Sequence, residues 1–341
     1  MKKERIPLNI RNFLRLSAHV QMLPILESGE ETLVGGQAVM EGVMMRAPHS
    51  YCVAIRKPDG QIAKEEMPVP RMSEKYPIFK LPVLRGLGTL GQAMGLGFKA
   101  LSFSAKAALA EETAAGENQG PAAESKGKEM PGWVMGANLA FSLLFFLFLY
   151  KFVPLFLATQ IGHRYPALNG RVTINLIDGT IRILILLTFL YLISRMKDMH
   201  RVFEYHGAEH KVVFNYESGK PVTVENAQQF VTWHPRCGTS FLLVVMVISL
   251  LVYAFLPFDG FWAKFATRIA GLPLVVGVSY ELIRAAAKSK GMFLKALTAP
   301  GLWLQRVTTQ PPNDEQAAVA ISALEGAMAL EESQGGQLVI A

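Results

Sequence analysis

The chain has 341 residues, 51% of them hydrophobic, and its mean hydropathy of +0.26 lies above the usual range of soluble domains. Its formal charge of +7 at pH 7 is not arranged as a basic stripe interleaved with aromatic side chains, and no nucleic-acid-binding motif is found, which argues against a nucleic-acid partner. In a membrane protein, excess Lys and Arg gather in cytoplasmic loops and contact anionic lipid, so a lipid bilayer is the expected partner.

The two cysteines, Cys52 and Cys237, are too few for a disulfide framework. They are typical of a reducing compartment, where a thiol is available as a ligand or as a core residue. The opening residues MKKERIPLNIRN are not followed by an apolar stretch with a cleavage site, so we expect internal apolar segments to bring the chain into the membrane.

The N-terminal part of the chain predicts a small β-containing unit. Residues 1–32 show no strong period and are treated as peripheral. Within residues 33–70, the stretch YCVAIRKPDGQIAKEE predicts a hairpin, because Pro58 presets φ and Gly60 accepts a positive φ in the turn. Glu41 lies in a Met-rich setting and is interpreted either as a polar-face strand residue or as a carboxylate inside a site.

The next segment is apolar but contains five glycines between positions 86 and 97 and is flanked by cations. Residues 81–110 therefore predict an interfacial or re-entrant helix rather than a full span, although the sequence leaves both open. The polar, low-complexity residues 111–130 predict a flexible linker.

Four apolar segments approach the roughly 20 residues that a helix needs to cross the hydrocarbon core. They lie at 133–158, 172–194, 239–258 and 266–285. Lys151 interrupts the first, and Asp178 and Arg182 lie in the second at i and i+4, where their charges can neutralise each other. Lys and Arg concentrate before the first span, between the second and third, and after the fourth, which predicts a cytoplasmic location for both termini.

The expected fold class is a polytopic α-helical membrane protein with about four transmembrane helices. It carries a small N-terminal β-containing cytoplasmic unit and a C-terminal amphipathic helix, which Asn313 or Asp314 caps and Gly335-Gly336 ends. We expect this helix to dock on the cytoplasmic unit or on a partner. The predicted segments are an N-terminal cytoplasmic unit with the hairpin and interfacial helix at 1–110, a linker at 111–130, a transmembrane domain at 131–308 with a cytoplasmic His/Cys segment at 195–238, and the amphipathic helix and tail at 309–341.

The His/Cys segment carries the strongest chemical pattern. His206 and His210 are four residues apart with Glu209 beside the second, so on a helix both imidazoles project from one face, one turn apart. Two such rings can bind one metal ion, and the adjacent carboxylate can act as a general base toward an activated water.

Further donors follow His206 and His210 along the chain. His234 and Cys237 are three residues apart, and Pro235 between them favours a turn that could present both to one ion. His, thiolate and carboxylate donors suit a divalent metal, Zn²⁺ first, with Fe²⁺ or Mn²⁺ if oxygen ligands dominate. The alternative is that these histidines only form hydrogen bonds that pack a cytoplasmic helix.

Two other residues of this region are either part of the site or have only a local role. Glu281, in the fourth span, could reach the same site or pair locally with Arg284. His200 is interpreted as a loop residue.

The blocks GGQAVMEGVMMRAP, YHGAEHKVVFNYE and HPRCGTSFL resemble the bacterial YqhQ-like family, a group of unknown function described as predicted metal-dependent enzymes. The resemblance covers the chain from position 34 to about position 318. It implies a multi-pass protein of the bacterial cytoplasmic (inner) membrane in which the three blocks converge on one site. It also adds Glu41, as a catalytic carboxylate, to the site residues predicted above.

Two functional hypotheses follow. The first is a membrane-embedded, cytoplasm-facing metal-dependent enzyme, a hydrolase of a membrane-associated substrate, in which His206 and His210 bind the ion, His234 or Cys237 completes the site, and Glu209 is the base. The second is a non-catalytic membrane assembly, sensor or transport factor with a structural His/Cys cluster. Both are compatible with a membrane-protein partner or a homo-oligomer.

Overall fold

The computed structural model describes residues 34–70, 75–116, 132–234, 237–256, 260–288 and 292–333. The peripheral segment 1–32, most of the predicted linker, the turn residue Pro235 and the terminating Gly335-Gly336 lie outside the described residues.

The described residues fold as two compact units. Unit 1 combines residues 34–70, 204–234 and 309–333, and unit 2 combines residues 75–203 and 237–308 apart from their undescribed gaps. The C-terminal helix and most of the His/Cys segment therefore fold with the N-terminal strands.

Four strands form one antiparallel sheet in the order β1-β2-β3-β4. They are β1 (Gly35–Val39), β2 (Gly42–Arg46), β3 (Ser50–Arg56) and β4 (Ile62–Pro68).

Eleven α-helices are present in the described ranges of the chain. They are α1 (Leu84–Gly116), α2 (Gly132–Leu147), α3 (Val153–Arg164), α4 (Arg171–Ile193), α5 (Lys197–Glu217), α6 (Val224–Gln228), α7 (Gly238–Phe255), α8 (Phe261–Ala270), α9 (Leu272–Lys288), α10 (Met292–Thr308) and α11 (Asp314–Ser333).

The β3–β4 hairpin forms where the sequence predicts it. Arg56 pairs with Ile62 across the turn, and Gly60 adopts a φ of 85°, which a glycine reaches without steric cost. Strand β3, with the sequence SYCVAIR, is buried along almost its whole length. Its β-branched and aromatic side chains favour this position because they pack well on a pleated surface. Burial also raises the pKa of Cys52 to about 12, so this thiol is a protonated core residue.

Helix α11 packs on β2 and β3. Its first turn is a reciprocal capping box, in which the Gln316 amide donates to Asn313 Oδ1 at 2.8 Å and the Asn313 amide donates to Gln316 Oε1 at 2.9 Å. Near the other end, Glu331 accepts hydrogen bonds from the His49 amide at 2.8 Å and the Ser50 hydroxyl at 2.9 Å. The predicted cap is therefore Asn313, and near its C-terminal end the helix is hydrogen-bonded to the start of β3.

Three helical stretches of unit 2 are long and apolar enough to cross a membrane: Ala140–Arg164, Arg171–Ile193 and Gly238–Phe255. The pair α8 and α9, bent by 49°, would make a fourth if it counts as one span. These match the four predicted segments in order. The first runs through a π-helical turn, Phe148–Phe152, that carries the buried Lys151.

Unit 2 departs from the predictions at three places. Helix α1 continues to Gly116, six residues into the predicted linker. Glu281 forms its hydrogen-bonded ion pair with Arg85, which approaches it from α1, and its interaction with Arg284 is only electrostatic. His200 lies within α5 rather than in a loop.

Candidate metal centre

The candidate centre in unit 1 is built on α5, the helix that carries the His-x-x-Glu-His pattern. The ring centroids of His206 and His210 are 4.4 Å apart, and one ring nitrogen of each lies within 4.8 Å of the other. Two imidazoles on a tetrahedral zinc ion place their nitrogens about 3.4 Å apart. A small side-chain rotation would therefore let both rings bind one ion.

Glu209 lies between the two rings. Its Oε2 is 3.5 Å from His210 Nε2 and 3.9 Å from His206 Nε2. Strand β1 leaves room for this carboxylate because it carries Gly36, where an added Cβ would lie 2.7 Å from Glu209 Cγ. Glu209 and His210 are buried, at 6% and 2% exposure, which strengthens electrostatic interactions between them.

A backbone carbonyl sets the tautomer of His210. The ring Nδ1 lies 2.5 Å from the Thr232 carbonyl oxygen. Because a carbonyl can only accept, Nδ1 carries a proton, and in the neutral ring Nε2 then keeps its lone pair. Metal-binding histidines are oriented in this way, by donating their other ring nitrogen to a carbonyl or carboxylate.

The loop that supplies Thr232 is held by a buried cation. Lys211 Nζ donates to the carbonyls of Gln228 at 2.8 Å and Phe230 at 2.6 Å. Burial lowers the pKa of Lys211, and these carbonyl contacts compensate part of its desolvation. The residue next to His210 in sequence thus fixes the loop that orients His210.

His234 joins the same cluster from the end of this loop. Its ring centroid is 5.7 Å from that of His210 and 4.4 Å from that of Phe214. Its Nε2 lies 3.4 Å from Glu217 Oε2. Burial lowers the pKa of His234 to about 4, an effect that the negative charge of Glu209 only partly offsets, so the imidazole is neutral at physiological pH.

Glu41 contacts the helix one residue before His206. It occupies the β1–β2 turn with a φ of 55°, and its Oε2 accepts a hydrogen bond from the Tyr205 hydroxyl at 3.4 Å. Glu41 is thus a turn residue linked to α5 and not a polar-face strand residue, and its predicted role as a carboxylate inside a site stays a prediction. A positive φ at a non-glycine residue is a strained backbone conformation of the kind that clusters at functional sites.

Unit 1 thus brings together four of the predicted site residues, His206, Glu209, His210 and His234, and links Glu41 to them through Tyr205. Cys237 belongs to unit 2, where its Sγ accepts a hydrogen bond from the Thr239 amide at 3.4 Å and caps α7. Its predicted role as a metal ligand stays a prediction.

Sequence reasoning did not identify Thr232, Glu217, Gly36 and Gly207 as parts of this site. Gly207 was the one with a detectable signal, because a glycine inside a helical pattern indicates a packing or functional constraint. A Cβ at Gly207 would lie 2.0 Å from the backbone oxygen of Gln310, so the helix and the segment before α11 touch here through their backbones.

The donor set has the chemistry of a divalent metal site. Two imidazoles one helical turn apart, one with its tautomer fixed, and an adjacent carboxylate are ligand types that Zn²⁺ takes and that Fe²⁺ and Mn²⁺ also accept.

The family model described as "Protein of unknown function (DUF1385)" matches residues 81–330 of the chain. Over 302 residues the chain is 36% identical to the uncharacterized protein YqhQ of Bacillus subtilis (strain 168), an alignment that covers 87% of this chain and 92% of that protein. No solved structure matches the chain significantly. The resemblance predicted from the three sequence blocks is confirmed.

Proposed function

Because the chain belongs to the DUF1385 family, whose function is unknown, we propose that it is a membrane-embedded, cytoplasm-facing metal-dependent hydrolase. The observation that carries the proposal is the placement of the Glu209 carboxylate beside both the His206 and His210 rings in a buried part of unit 1. A bound divalent ion would supply Lewis acidity and lower the pKa of a water molecule.

Each residue of the candidate site has a distinct role in this proposal. His206 and His210 bind the ion, and the Thr232 carbonyl holds the His210 ring in the tautomer that binds. Glu209 accepts the proton from the attacking water, as the neighbouring carboxylate does in zinc hydrolases. His234, which is neutral and close to His210, is the candidate third donor, and Glu41 keeps the Tyr205 end of the site in place.

The membrane part of the proposal rests on the apolar helices. Three of them, or four with the bent pair, have the length that spans a bilayer, and the distribution of Lys and Arg favours both termini in the cytoplasm. A site in the segment between two such helices would act on substrates at the membrane surface, such as lipids or membrane-associated peptides.

The test of this proposal is the Glu209→Gln substitution in the full-length protein purified in detergent and loaded with zinc. Glutamine keeps the size of the side chain but cannot take up a proton, so we expect the metal content to be unchanged and turnover to fall about a hundredfold or more. The probes are a p-nitrophenyl carboxylic ester, bis(p-nitrophenyl) phosphate and fluorescent casein, which report three classes of hydrolysis. Glu225→Gln, an exposed acid in the same unit, is the matched control and should keep full turnover.

Two results would contradict the role of Glu209. Equal turnover in the wild type and Glu209→Gln would show that Glu209 is not the general base. Loss of metal in Glu209→Gln would make the carboxylate a ligand instead.

One observation favours the second candidate function, a non-catalytic membrane factor with a structural cluster. His210 and His234 already contact protein partners, the Thr232 carbonyl and the Glu217 carboxylate, and both rings are buried. A closed, fully coordinated site is structural, whereas a catalytic site keeps one position open to water. If the protein binds metal and turns over none of the three probes, this second function replaces the hydrolase.

A further inference from the structure

Three cations are buried within the apolar helices of unit 2. Lys151 lies on the π-helical turn before α3, Arg182 on α4 and Arg268 on α8, with exposures of 8%, 4% and 2%. Charged side chains in such helices are costly to bury and mark functional sites by default.

One carboxylate and one aromatic ring serve all three cations. Asp178 pairs with Arg182 and, at 3.0 Å, with Arg268. The Tyr253 ring has Lys151 Nζ, Arg182 Cζ and Arg268 Cζ at 5.5, 5.7 and 5.5 Å from its centroid. These cation–π contacts disperse positive charge but carry no net negative charge.

The cluster therefore has an excess of positive charge. Three cations and one carboxylate leave a net charge of +2. Asp178 is the only acidic residue in the helical stretches Ala140–Arg164, Arg171–Ile193, Gly238–Phe255 and Phe261–Ala270. Deprotonation of Lys151 would still leave one positive charge, because an arginine does not lose its proton in a protein.

Part of this cluster also lacks hydrogen-bond partners. Within the described residues, Arg182 Nε and Asp178 Oδ1 are buried and make no hydrogen bond. Arg268, by contrast, donates to Asp178, to Asn175 and to the Lys264 carbonyl, so each nitrogen of its guanidinium already makes a hydrogen bond. The unsatisfied donor is thus on Arg182, and an unmet buried donor calls for a further acceptor.

A small cleft at the helix ends borders the cluster at Arg268 and Tyr253. Its lining includes Arg268, Tyr253 and Asn175, and Arg171 and Lys264 add two more basic side chains. A cleft lined by one sign of charge attracts counter-ions of the opposite sign.

We propose that this cluster, defined by Lys151, Asp178, Arg182, Tyr253 and Arg268, is a binding site for one phosphate-type oxyanion. A dianionic phosphate group matches the net charge of +2, and its oxygens can accept from Arg182 and Lys151. The group comes either from free phosphate or from the headgroup of an anionic lipid. This site lies in unit 2 and is independent of the hydrolase proposal.

The experiment titrates the full-length protein with a phosphate-containing ligand. Binding is monitored as an increase in the thermal unfolding midpoint. In the first arm, delipidated protein in a neutral detergent is titrated with inorganic phosphate at constant ionic strength. In the second arm, nanodiscs of phosphatidylcholine with and without phosphatidic acid replace the detergent. Saturable stabilisation in the first arm identifies free phosphate as a ligand, and stabilisation in the second arm alone identifies a lipid headgroup.

The variants separate a specific site from general charge effects. Arg182→Gln should weaken the apparent affinity about tenfold, because it removes a charge-assisted donor. Asp178→Asn should strengthen it, because it removes the only competing negative charge, whereas a purely structural role would not raise affinity. Arg195→Gln is the matched control, an exposed arginine beyond the end of the same helix, and should bind like the wild type.

The proposal is overturned if neither phosphate nor phosphatidic acid stabilises the wild type saturably. It is equally overturned if Arg182→Gln and Arg195→Gln respond alike. If Arg182→Gln does not fold, Lys151→Met decides in its place by the same loss of affinity, because it removes the cation that lies over the Tyr253 ring.

Discussion

The His206→Ala protein is expected to retain less than about a tenth of the divalent metal that the wild type binds after zinc loading and desalting. Removing one of two imidazoles that face the same carboxylate leaves too few ligands to hold the ion, and loss even of an indirect partner costs about 10- to 100-fold in metal affinity. His206 is the better target, because at 16% side-chain exposure it leaves a smaller cavity than the 2% exposed His210. Metal content per chain is measured by mass spectrometry with inductively coupled plasma.

The control for this result is His200→Ala. His200 lies on the same helix α5, six residues before His206, and is not part of the cluster, so it should keep the full metal content. Circular dichroism establishes that both variants are folded. Retention of the wild-type amount of metal by His206→Ala would contradict a role of His206 as a metal ligand.

The second large effect is expected for Gly207→Ala, which should destabilise unit 1 by on the order of 3 kcal/mol or more. The new Cβ would lie 2.0 Å from the Gln310 backbone oxygen, and both sides of this contact are main chain, which cannot rotate away. In a helix without this contact, Gly to Ala would stabilise by about 1 kcal/mol through helix propensity. The sign of the effect therefore tests the contact directly, in urea unfolding followed by circular dichroism.

Gly35→Ala is the matched control for Gly207→Ala. A Cβ at Gly35 meets nothing within 4 Å, so this variant should unfold at nearly the same urea concentration as the wild type. An increase in stability on Gly207→Ala would mean that α5 and the segment before α11 do not touch at this residue.

The parts of the fold that the sequence predicts correctly are governed by local chemistry. The β3–β4 hairpin depends on Gly60 accepting a positive φ, and the start of α11 depends on the side chains of Asn313 and Gln316. The apolar helices depend on length and composition alone. Each of these signals lies within a few residues or one helix.

The parts that the sequence does not predict are long-range contacts. Helix α11 is predicted to dock on the cytoplasmic unit or on a partner, and only the fold shows that it packs on β2 and β3. Glu281 has Arg284 one turn away, yet Arg85 from a distant part of the chain forms the pair. Local spacing cannot rank a neighbour in sequence against one that only the fold brings close.

The candidate site divides in the same way. The i, i+4 spacing of His206 and His210 is enough to predict their shared face. The position of His234 depends on the loop fixed by Lys211, and the His210 tautomer depends on a Thr232 backbone carbonyl, which leaves no signature in side-chain identity. The sequence therefore predicts which side chains share a face better than it predicts the backbone groups that orient them.

The most direct test of the account is zinc K-edge X-ray absorption of the full-length wild-type protein in detergent, together with its metal stoichiometry. We expect about one zinc ion per chain, and outer-shell scattering typical of at least two imidazole rings. A protein that binds no ion above background after loading, or one whose ion shows no imidazole scattering, would contradict a metal centre on His206 and His210.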